Sequence, residues 1–93
     1  MQEGNRVRVH ARVSGRVQGV GFRWHCHRAA CARLIGGWVQ NMPDGAVELE
    51  AEGPAGVVAL FLDDVRRGPG AGRVDDVDVT EIETEGDSEF SIR

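Results

Sequence analysis

A chain of 93 residues with a formal net charge of −4 has room for one modest core, and a single domain over residues 1–93 is the expectation. The acidic balance argues against nucleic acid or an anionic membrane as partner. All eleven basic residues are arginine, so any cation that grips a phosphate here is a guanidinium.

The N-terminal MQEGNRVRVH has no apolar h-region, and no run approaches the roughly 18 apolar residues of a membrane span. The first strand follows: Val7, Val9, Ala11 and Val13 alternate with Arg8, His10 and Arg12, the period of a half-buried strand. Gly15 to Gly21 reads as a loop. Phe22 to about Arg33 reads as a helix, with Phe22, Cys26, Ala29 and Ala30 on its inner face and Trp24, Arg28 and Cys31 on its outer one. The two cysteines, Cys26 and Cys31, lie about 140° apart on such a helix. They form no pair, and the expected setting is reducing cytoplasm.

Gly36-Gly37 opens a second strand, Trp38 to Asn41, and Pro43-Asp44-Gly45 is a turn. Ala46 to Glu52 alternates again, Val47, Leu49 and Ala51 against Glu48, Glu50 and Glu52, so the two strands make a hairpin. Gly53-Pro54 announces a second helix with Pro54 in its first turn. Val57, Val58, Phe61, Leu62 and Val65 form its apolar face, and Gly68-Pro69 stops it. A GPGAGR loop leads to a strand around Val77 and Val79, and FSIR closes the chain as a short last strand. The acidic run from Asp75 to Glu89 reads as a solvated face.

This order, βαββαβ plus a short C-terminal strand, is the split β-α-β pattern of an α+β, ferredoxin-like sandwich. Two helices cover one face of an antiparallel sheet, and water covers the other. Charge supports the topology. Arg8, His10 and Arg12 point outward from the first strand, and Glu48, Glu50 and Glu52 point outward from the third, its expected neighbour. Opposite charges across a ladder each add about a few tenths of a kcal/mol.

The loop carries the chemistry. Its glycines fall as G-x-x-x-G-x-G, which is not the dinucleotide fingerprint, and Gly21-Phe22-Arg23 is not Gly-Lys-Ser/Thr. A simpler device remains. A glycine-rich turn points backbone N–H groups into one concavity, and the helix that follows adds its free N–H groups and dipole. Arg23, in the first turn, adds a bidentate fork. Gln18 either donates from the rim or locks the loop. Strands one and two run parallel in this topology, so Asn41, at the end of the second, lies at the same edge as the loop. Asn41 shares the parity of Val39 and so faces the helix-covered side. An amide there can accept from a water and donate to a phosphoryl oxygen together.

GRVQGVGFR (Gly15 to Arg23), GWVQN (Gly37 to Asn41) and DGAVE (Asp44 to Glu48) resemble the signatures of the acylphosphatase family in order and spacing. Gly68, Pro69, Val74, Val77 and the closing FSIR also fit, so the resemblance covers nearly the whole chain. It implies hydrolysis of an acyl phosphate to a carboxylate and inorganic phosphate, with no metal and no cofactor. Arg23 then binds the phosphoryl group together with the backbone of Gly15, Arg16, Val17, Gln18, Gly19, Val20, Gly21 and Phe22. Asn41 orients the attacking water. The implied partner is a small-molecule acyl phosphate, with neither nucleic acid nor membrane, and the expected state is a monomer. The chain departs from the family pattern at Leu34, where a glycine usually ends the first helix.

Several residues have plainer readings. Arg23 on its own is a solvated helix arginine, and Asn41 a turn residue ahead of Met-Pro-Asp-Gly. His25 and His27 diverge on a helix, and His27 with Cys31 supplies two ligands, too few for zinc. Trp24 marks a substrate or partner rim, or is one more exposed aromatic; Trp38 reads as packing. Two rival functions remain. One is a non-catalytic phosphate- or carbamoyl-phosphate-binding module of the same fold, as within a larger enzyme; the ends, Met1 and FSIR, suggest a stand-alone protein instead. The other is an RNA-binding βαββαβ domain. That needs stacking aromatics on the outward central strands, where this chain has Arg8, His10, Arg12, Glu48, Glu50 and Glu52.

Overall fold

The first strand, β1 (Arg6–Arg16), buries Val9, Ala11 and Val13 on one side, as its alternation requires. The computed structural model describes residues 5–93. After β1 come α1 (Phe22–Ala32), β2 (Gly36–Asn41), β3 (Val47–Pro54), α2 (Ala55–Arg67), β4 (Arg73–Ile82) and β5 (Phe90–Ile92). The sheet order is β4-β1-β3-β2-β5. The first four strands form antiparallel ladders, which sets β1 parallel to β2 with β3 between them. β5 joins β2 in parallel, so the sheet is mixed rather than wholly antiparallel. Both helices share one core with the inward strand residues: Phe22, Cys26 and Ala30 from α1, Val58, Phe61, Leu62 and Val65 from α2. Phe90 anchors β5 by an edge-on contact with Phe61, 5.9 Å between centroids.

Two boundaries and one ladder irregularity differ from the sequence reading. β1 runs on through Gly15 and Arg16, which pair with Val74 and Arg73 of β4, so the loop proper starts at Val17. Ser14 faces Asp76 and Gly15 faces Val74. One extra residue of β4, Asp75, is thus bulged out. The bulge lets Val74 and Val77, three apart, both turn inward. At α2, Pro54 is the N-cap with φ −59°, and the helix itself starts at Ala55.

The outward face of the sheet is not uniformly wet. Arg8 and Glu52 are each 1% exposed. Register pairs Arg8 with Glu52, His10 with Glu50 and Arg12 with Glu48, as charge complementarity predicts. The contacts also run diagonally: Arg8 Nε donates to Glu50 Oε1 at 2.8 Å, and His10 Nε2 lies 3.2 Å from Glu48 Oε1. Part of the acidic run folds over this end. Glu52 accepts the backbone N–H groups of Glu85 and Gly86 at 2.8 and 2.9 Å, and Asp87 lies 3.4 Å from Arg8. Glu85 and Asp87 therefore neutralise a buried guanidinium instead of lying on a free solvated face.

Helix α1 ends in a Schellman motif. The Ile35 N–H bonds Ala30 O at 2.9 Å and the Leu34 N–H bonds Cys31 O at 3.3 Å. The motif needs a left-handed residue, and Leu34 supplies it at φ 57° with its side chain 85% exposed. A leucine in that conformation costs about 1–2 kcal/mol. Glycine gives back part of that in unfolded-chain entropy. Leu34→Gly is expected to stabilise the fold by about 0.5–1 kcal/mol, or roughly 3–6 °C in Tm. A lower Tm by calorimetry would contradict this account of the helix stop.

Candidate active site

The loop Val17–Gly21 joins β1 to α1 at one edge of the sheet. Val17 is buried and pins it to the core. Gly19 and Gly21 have φ 76° and 81°, and a Cβ on either would meet nothing within 4 Å. Glycine is required there by backbone conformation, not by crowding. Gly21 is also the N-cap of α1. No side chain caps this helix, and its first turn contains no acidic residue. Its leading N–H groups have no side-chain acceptor, and the positive end of its dipole has no carboxylate beside it in the first turn.

Gln18 resolves into a clamp. Its Nε2 donates to Met42 O and to Ala46 O, both at 2.8 Å. Both amide hydrogens are thereby used on the carbonyls flanking the β2–β3 turn. The clamp ties the loop to the hairpin that carries Asn41. Val20 packs against the core instead of facing the opening.

Arg23 and Asn41 line one cavity of about 220 Å³ together with Val17, Gly19, Gly21, Phe22, Trp24 and Ile92. Asn41 pairs in register with Val47 at the end of β2. Arg23 Nη1 donates to the backbone carbonyl of Arg93 at 2.9 Å, which steadies the guanidinium beside β5. Apart from Arg23, the lining carries no charge. A larger, shallower opening of about 720 Å³ is lined by Arg6, Val7, Glu81, Ile82, Glu83 and Thr84. It sits at the start of β1, the opposite end of that strand from the loop, and its two carboxylates repel a phosphate.

The acylphosphatase family model matches residues 9–92. The chain belongs to the acylphosphatase family. It is 49% identical over 78 residues to the acylphosphatase of Chlorobaculum tepidum, an alignment that covers 84% of this chain and 85% of that one. Its fold matches the crystal structure of the acylphosphatase from Bacillus subtilis with a TM-score of 0.91 at 42% identity, covering 94% of this chain and 98% of that one. The acylphosphatase structure from Coxiella burnetii matches with a TM-score of 0.92 at 35% identity, over 100% of this chain and 98% of that one. Matches of this extent place the chain among the hydrolases of the family rather than among non-catalytic modules of the fold.

Against that acylphosphatase frame, the structure gathers most of the sequence-derived site. Val17, Gly19, Gly21, Phe22, Arg23 and Asn41 share the cavity. Gly15 and Arg16 are paired in β1, and Gln18 and Val20 support the loop from behind. The histidines go elsewhere. His25 Nε2 bonds the Asp64 carbonyl at 2.8 Å on α2. His27 lies 3.6 Å from Cys31 Sγ and stacks on Trp24. Cys26 is buried and Cys31 exposed, both as free thiols, and burial pushes the Cys26 thiol up to about 12. Sequence reasoning missed Ile92 and the Arg93 carbonyl. Phe90 and Ile92 share strand parity. Recognising Phe90 as the core anchor of β5 is the signal that would have placed Ile92 beside α1.

Proposed function

We propose that this chain is a cytoplasmic, monomeric, single-domain acylphosphatase that splits small acyl phosphates with Arg23 and Asn41. The observation that carries the reading is that both line one small cavity at the uncapped N-terminus of α1. The phosphoryl oxygens lie against the loop and helix N–H groups, and the Arg23 guanidinium takes up their charge. The Asn41 side-chain oxygen accepts from a water while its amide nitrogen holds a phosphoryl oxygen. That water attacks phosphorus in line. The P–O bond to the acyl group breaks, its electron pair leaves on the carboxylate, and the proton of the water passes to phosphate or solvent. A carboxylate leaves without protonation, so neither a general acid nor a metal is required. The transition state is loose, and positioning and electrostatics supply the acceleration. Two free thiols in a chain of this size suit a reducing compartment.

The test is hydrolysis of benzoyl phosphate in EDTA. Acceleration over buffer is expected, and a rate equal to buffer would end the enzymatic reading. Asn41→Ala is expected to lower kcat by about 10²–10³, as the loss of one preorganised group does. Full turnover in Asn41→Ala would remove the water-positioning role while leaving the hydrolase intact.

A further inference from the structure

Four large apolar side chains are exposed among the described residues: Trp24, Leu34, Leu60 and Ile92, at 57, 85, 49 and 39%. Two of the four, Trp24 and Ile92, line the phosphate cavity. Each is held in place by its neighbours. The Trp24 ring lies nearly parallel to the His27 ring, with centroids 5.3 Å apart and 15° between planes. Ile92 pairs in register with Val39 of β2, and the Arg93 N–H closes the ladder onto Val39 O at 2.8 Å. An indole fixed by stacking and a branched side chain fixed by a strand form a rigid apolar rim. They lose little side-chain freedom when a ligand covers them.

From this rim, and on the basis of the function proposed above, we infer that Trp24 and Ile92 form the acyl subsite and select flat or branched apolar acyl groups. The phosphoryl group occupies the polar floor with Arg23 and Asn41. The acyl group must therefore leave the cavity across its exposed edge, where the indole and the isoleucine stand. An aromatic or branched acyl group covers apolar surface there. An acyl group carrying its own carboxylate finds no second cation: Arg23 is the one charged residue of the lining. The Arg93 guanidinium lies over the Trp38 ring at 4.4 Å. Acetyl phosphate offers the rim a single methyl group, and a succinyl-type acyl phosphate is disfavoured.

Steady-state kinetics with benzoyl, acetyl and succinyl phosphate test the inference, each rate corrected for its rate in buffer. In the unaltered protein kcat/KM should fall in the order benzoyl, acetyl, succinyl. Trp24→Ala should lower the benzoyl-to-acetyl ratio about five- to tenfold, mainly through KM for benzoyl phosphate. Ile92→Ala should lower it about two- to threefold, and Trp24→Phe should restore most of the ratio. Trp24 is on the surface, so these variants keep the fold, which an unchanged Tm verifies. A ratio unmoved by Trp24→Ala and by Ile92→Ala overturns the acyl subsite but leaves the hydrolase standing. Succinyl phosphate as the preferred substrate overturns it as well. Hydrolysis of none of the three overturns the hydrolase, and the subsite with it.

Discussion

Arg23→Ala is expected to lower kcat/KM for an acyl phosphate by roughly 10³–10⁵, the range over which a guanidinium assists phosphoryl transfer. Arg23 lines the same cavity as Asn41. It is half-buried at the first turn of a helix whose N-terminus has no side-chain cap, and the Arg93 carbonyl steadies one Nη1 at 2.9 Å. Lysine would keep the charge and lose the fork. Arg23→Lys should recover only a minor part of the rate, because a point ammonium cannot meet two phosphoryl oxygens at fixed angles. Under the proposed role the same fork binds the ground state, so inorganic phosphate, tested as a competitive inhibitor, should weaken in parallel. Retention of more than about a tenth of the activity in Arg23→Ala would assign phosphoryl binding to the backbone loop alone.

The largest effect on stability is expected at the other end of the sheet. Glu52→Ala should cost about 3 kcal/mol, the lower end for breaking a buried ion pair, or roughly 12–24 °C in Tm. The variant leaves Arg8 buried with Glu50 as its nearest counter-charge and strips the acceptor from the Glu85 and Gly86 N–H groups. The lower end applies because Arg8 keeps Glu50 at 2.8 Å and Asp87 at 3.4 Å as counter-charges. The sign with pH follows from the same contacts. Burial alone would raise the Glu52 carboxyl, but the Glu85 N–H, the Arg8 guanidinium and the Gly86 N–H outweigh it and hold it below the ordinary value of 4.5. Its folded pKa is therefore below its unfolded one. Its stabilisation is complete above about pH 4.5 and is lost as pH falls through the folded value. Asp64 is held low mainly by the hydrogen bond from Arg33, and it adds in the same direction. Chemical denaturation between pH 3 and 7 should show stability falling on the acid side, with a shallower fall in Glu52→Gln. A cost below about 1 kcal/mol for Glu52→Ala would show that the pair is solvated in practice.

Local patterning accounts for most of what was readable from residues alone. The alternation in Val7–Val13 and Val47–Glu52 predicts two strands with one wet face each. Their opposite outward charges predict their pairing, and register confirms it residue by residue. The glycine-rich run before Phe22, the parity of Asn41 with Val39 and the parallel course of β1 and β2 together predict the shared edge. All of these depend on neighbours along the chain or on a single ladder. Periodicity and turn chemistry report such relations directly.

Packing between distant segments decided the rest. Arg8 looks like any outward strand arginine until residues 85–87, nearly the whole chain away, fold over it. Gln18 has two plausible roles as a loop residue, and only the position of the β2–β3 turn makes it a clamp. Ile92 and the Arg93 carbonyl reach the site because β5 adds in parallel beyond β2, a pairing with no local signature in a three-residue strand. Leu34 takes the left-handed turn because the Schellman hydrogen bonds, together with burial of the neighbouring Ile35, outweigh the cost of its Cβ. Periodicity and turn chemistry thus determined the two helices and the central ladder, the motifs GRVQGVGFR, GWVQN and DGAVE carried the resemblance to the family, and topology alone brought Arg23 and Asn41 to one edge. Tertiary structure alone decided which charges are dry, what supports the loop and which side chains rim the cavity. A side chain's burial is set by whatever segment finally covers it, and no window along the chain contains that segment.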